Sequence, residues 1–65
     1  RRAELVEVAN SAIASVRASG TKVALEAMNP FERKVIHDVV AAAGLVSDSE
    51  GEEPHRHVVI HPAGA

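Results

Sequence analysis

Sixty-five residues with nine acidic and seven basic side chains, a formal charge of −2, a single aromatic residue and no cysteine set narrow bounds. A chain this short buries only about 60% of its unfolded surface, which argues against an enclosed catalytic cavity. The missing cysteines exclude a disulfide framework and any thiolate metal site.

From residue 1 to about residue 19, Leu5, Val8, Ala9, Ala12, Ile13 and Val16 recur at intervals of three and four, which predicts an amphipathic helix ended by Gly20. Arg1 and Arg2 stand at its uncapped start and oppose the helix macrodipole, so the chain reads as a piece of a longer protein. Residues 22–28 alternate, with Val23, Leu25 and Ala27 on one side of a short half-buried strand. Asn29 is a favoured N-cap, Pro30 suits the first helical position and Glu32 can close a capping box. A second helix is therefore expected from Pro30 to about Ala43, closed by Gly44. At about 100° per residue, Phe31, Val35, Ile36, Val39, Val40 and Ala43 form its apolar arc. Arg33 and His37 fall on the flank of that arc, stems against the core and heads in solvent.

Residues 45–49 predict a second strand and residues 56–61 a third, with Val58 and Ile60 facing the core. Between them lies a wide acidic turn in which Gly51 supplies a permissive backbone position and Pro54 restricts re-entry. Residues 63–65 read as a disordered tail, leaving a domain over residues 1–62. The fold class is α+β: two layers, a three-stranded sheet with two helices on one face, order αβαββ, the last two strands forming a long-looped hairpin.

The net charge is negative, but Asp48, Glu50, Glu52 and Glu53 lie in a segment without lysine or arginine, and seven cations face five acids elsewhere. Positive potential can therefore be local. Arg33 and His37 are four apart and stack on one helix face, about 5–6 Å between Cβ atoms. A planar guanidinium beside an imidazole donor suits a phosphate or a base edge. With Phe31 assigned to the core, no stacking platform is expected, and binding should be weak and directed at the backbone.

Arg33-Lys34-Val35-Ile36-His37, Met28-Asn29-Pro30-Phe31-Glu32-Arg33 and the downstream run Ser49-Glu50-Gly51-Glu52-Glu53-Pro54-His55-Arg56 resemble the R-three-H domain of the bacterial Jag family over nearly the whole chain. The resemblance implies a compact αβαββ module that binds single-stranded nucleic acid, with RNA the expected partner and single-stranded DNA the open alternative. It also implies an adjacent KH domain gripping RNA in the full-length protein, and a post-transcriptional or cell-shape role. Arg33, His37, Lys34 and Arg56 are the expected nucleic-acid contacts, and no cofactor or turnover is implied. A cytoplasmic setting is expected, since no stretch is apolar enough for a membrane span or a secretory leader.

Other constellations fare worse. His57 and His61 share one strand face but stand roughly 13 Å apart, too far to converge on zinc. The acidic turn lacks the ligand ladder of a calcium loop, and the serines form no nucleophile motif. The rival reading is a protein-interaction module using the alanine-rich helix surfaces at Ala9, Ala12, Ala14, Ala41 and Ala42.

Overall fold

The computed structural model describes residues 2–64; Arg1, expected to open the first helix, and Ala65, the end of the expected tail, lie outside them. Helix α1 (Arg2–Ser19), strand β1 (Val23–Ala27), helix α2 (Pro30–Ala42), strand β2 (Val46–Glu50) and strand β3 (His57–His61) follow one another in the expected order. In α1 the stripe Leu5, Ala9, Ala12, Ile13 and Val16 is buried, while Val8, at its edge, is exposed. These side chains meet Val35, Ile36 and Val40 of α2 and Val58 and Ile60 of β3 in one core. Both helices thus cover the same face of the sheet. Arg17 ties their ends together, its Nη2 donating to the Ala43 carbonyl at 3.0 Å.

Helix α2 is fixed at both ends by local chemistry. Glu32 N–H donates to Asn29 Oδ1 at 2.8 Å and Asn29 N–H to Glu32 Oε1 at 2.9 Å, so the capping box is complete. At the other end Gly44, at φ +81°, donates to the Ala41 carbonyl, and Leu45 N–H to that of Val40. This is the Schellman pattern, and its apolar contact is available because Leu45 and Val40 are both buried.

The sheet is antiparallel throughout, with β3 in the centre between β1 and β2. Val23 lies opposite Ile60, Ser47 opposite Ile60 on the other side, and Ser49 opposite Val58, so these positions share the helix-facing side. The register of β1 slips between Ala24 and Ala27. An extra residue reverses the alternation beyond it. Ala27, expected inside, is therefore exposed, and Met28 is buried in its place. On the sheet's open face His57, Val59 and His61 of β3 stand beside Val46, Asp48 and Glu50 of β2.

The helical projection places Phe31 in the core and Arg33 in solvent; the structure does the reverse. Phe31 is 60% exposed and Arg33 only 9%. The buried residues of α2 are Arg33, Val35, Ile36 and Val40, so the buried sector takes in Arg33 and is rotated toward it from the apolar arc, away from Phe31. Counted from Arg33 at about 100° per residue, Phe31 falls on the outer side with Lys34, Asp38 and Ala42.

Candidate nucleic-acid interface

Around the N-terminus of α2 the chain draws three segments together. Met28 N–H donates to the Arg56 carbonyl at 3.1 Å, which brings the entry to β3 beside the entry to α2. Arg33 Nη1 donates to the Met28 carbonyl at 2.7 Å, and its Nη2 lies 2.6 Å from Glu53 Oε1. Arg56 Nη1 reaches back to the Gly51 carbonyl at 2.9 Å. Arg33 thus binds the loop of residues 51–56 against the helix start, and Arg56 closes that loop on itself. The sequence reading has the turn orienting Arg56; in the structure Arg56 also holds the turn.

His37 is half-buried and faces β2, with both ring nitrogens occupied. Nδ1 is 2.5 Å from Ser47 Oγ and Nε2 2.9 Å from Ser49 Oγ. In the neutral ring the protonated nitrogen donates to one hydroxyl and the other nitrogen accepts from the second. The two serines were not among the expected site residues, although a signal existed. They alternate on the inward side of a strand, where polar groups need a polar partner, and His37 is the polar residue α2 can offer.

Lys34 stands in contrast. Its side chain is 75% exposed, and its polar partner among the described residues is Asp38 Oδ2 at 3.2 Å, one turn along the helix. Such an exposed pair contributes about 0.3–0.5 kcal/mol, so the ammonium can leave it at little cost. Moving Arg33 would strip a buried carbonyl of its donor and break an ion pair, a loss of about 1–3 kcal/mol. The four expected contacts therefore divide. Lys34 is free to move, Arg56 is partly exposed and bound to a backbone carbonyl, and Arg33 and His37 are built into the frame.

The sheet's open face is a poor platform for a polyanion. Asp48 and Glu50 project from it, Asp48 Oδ2 accepting from His61 Nε2 at 2.9 Å, and it carries no aromatic ring of the Phe, Tyr or Trp kind. Among the described residues, no helix is long and apolar enough to cross a membrane.

Comparison with known proteins agrees with this geometry. The family model of the R-three-H domain matches residues 3–62. The RNA-binding protein KhpB of Clostridium symbiosum is 44% identical over 62 residues, covering 92% of this chain but 28% of its own length. The RNA-binding protein KhpB of Lactiplantibacillus plantarum is 44% identical over 61 residues, again 92% of this chain and 19% of the relative. The chain therefore spans less than a third of either relative. With the Arg33 and His37 pair on α2, the expected order of elements and a family match that reaches all five of them, the chain belongs to the R-three-H domain family.

Proposed function

We propose that this chain is a single-stranded RNA-binding module, acting without turnover or cofactor, in a Jag-type bacterial protein of the cytoplasm. What carries the reading is the 44% identity, over 92% of the chain, to two proteins named for RNA binding. Lys34 and Arg56 supply phosphate contacts, while Arg33 and His37 are positioning residues that hold the loop and β2 against α2, with any contact of their own made at the rim. An adjacent KH domain in the full-length protein supplies most of the affinity through effective concentration. Single-stranded DNA offers the same phosphates and is the comparison ligand.

The test is a titration of the chain with short single-stranded RNA and DNA, followed by backbone amide shifts at several salt concentrations. Two phosphate contacts give a log–log salt slope of about −1.4, and the dissociation constant at physiological salt is expected around 10⁻⁴ M or weaker. Shifts should gather at the start of α2 and in residues 51–56. A slope near zero would refute the phosphate mechanism.

A second reading, a protein-interaction module, draws support from a shallow groove lined by Val8, Ser11, Ala12, Val23 and Leu25 between α1 and the edge strand β1. Of the alanines expected to serve it, Ala9 packs into the chain's own core, Ala12 is buried and lines this groove, and Ala14, Ala41 and Ala42 are exposed outside it. Concentration-dependent association that survives Lys34→Ala would favour this second reading.

A further inference from the structure

Phe31 is the only residue of the Phe, Tyr or Trp kind in the chain, and the fold places it in solvent at the second position of α2. A lone exposed apolar side chain is ordinary. Three features of the surroundings make this one different. The backbone beneath it is held by the capping box on both sides, Asn29 before it and Glu32 after it, so the ring stands on a fixed turn. Lys34 lies three residues on, one helical turn away on the same outer face, with Cβ atoms about 5–6 Å apart. The acids of β2 that would repel a strand project from the opposite layer of the molecule.

We infer that Phe31 stacks on one unpaired base of the strand whose phosphate meets Lys34. The inference rests on the RNA-binding reading and adds a contact to it. A polynucleotide presents a flat ring and an anion on each repeating unit, and Phe31 with Lys34 presents a flat ring and a cation on one helical turn. Stacking is available to every base because each has a π-face, so the contact adds affinity without choosing a sequence. The other exposed large apolar side chains, Val8 and Val46, are aliphatic and branched, and neither can stack in this way. Lys34 leaves Asp38 as the phosphate arrives.

The test compares the chain with Phe31→Leu and Phe31→Trp, at low salt, on two fluorescent probes: a uridine hexamer and an abasic ribose-phosphate strand of equal length. Circular dichroism first checks that both variants keep the fold. Phe31→Leu should weaken hexamer binding by about 5- to 100-fold while leaving abasic binding and the salt slope unchanged. Phe31→Trp should retain hexamer binding, and because the chain contains no other tryptophan its fluorescence should be quenched by the hexamer and not by the abasic strand. Equal hexamer affinity for the chain and Phe31→Leu would overturn the stacking contact, and continued binding of both strands with the expected slope would then leave the phosphate reading standing. Parallel loss on both strands would mean that Phe31 supports the fold of the site, which also overturns the inference. Failure of the unsubstituted chain to bind either strand would remove the RNA reading and stacking with it.

Discussion

Arg33 spends its guanidinium inside the protein, on the Met28 carbonyl and the Glu53 carboxylate. Arg33→Ala should therefore destabilise the domain by about 1–3 kcal/mol, the cost of leaving a buried acceptor unpaired. In a domain of this size each kcal/mol lowers Tm by roughly 4–8 °C, so thermal unfolding reads the effect directly. An unchanged Tm would show that Met28 and Glu53 find other partners. Arg33→Lys should recover only part, because an ammonium lacks the planar fork that serves both acceptors. Lys34→Ala is expected to do the opposite: Tm within a few degrees, and a salt slope of RNA binding reduced by about 0.7, one phosphate's share. Asp38→Asn, which releases Lys34 from its pair, should tighten RNA binding modestly at low salt. On the proposed reading, the adjacent residues 33 and 34 separate stability from binding.

At the scale of elements, the first turn of α2 holds the capping box, the exposed ring and the anchor of the loop together. Asn29→Ala should cost about 0.5–2 kcal/mol of stability, with amide exchange rising first at Phe31 and Glu32. Uniform exchange along the helix would show that the cap matters only globally. Much of this element was legible in the sequence, since Asn29, Pro30, Glu32 and Gly44 act through neighbours within a few positions. The rotation of the helix was not legible. A periodic pattern finds an apolar arc, but which part of it meets the sheet depends on partners such as Glu53, far along the chain from Arg33. The β1 slip was equally hidden: Leu25, Glu26, Ala27 and Met28 alternate acceptably in either parity, and only pairing with β3 decides between Ala27 and Met28. Strand order along the chain and the hairpin of β2 with β3 followed from turn residues and alternation, and both agree with the structure.

For the molecule as a whole, one core joins both helices to the inward side of β3, in a body of 29 × 24 × 15 Å. Two layers are all that such a thickness holds, and the seven largest fully buried side chains, Leu5, Val16, Val35, Ile36, Val40, Val58 and Ile60, all belong to the one core between them. Both flanking strands pair with β3, yet β3 is the last of the five elements along the chain. Order of manufacture and order of assembly are therefore opposed. During synthesis at about 5–20 residues per second, β1 and β2 leave the ribosome with no strand to pair with, and the core between α1 and α2 still lacks Val58 and Ile60. A nascent chain halted at Glu50 should be cut readily by protease, whereas one halted far enough beyond His61 to clear the exit tunnel should become resistant in a single step. Gradual protection with length would show that the helices fold alone. The codons of β3 thus act as the trigger for folding, and a frameshift or premature stop just before them would release a chain with its sheet unmade.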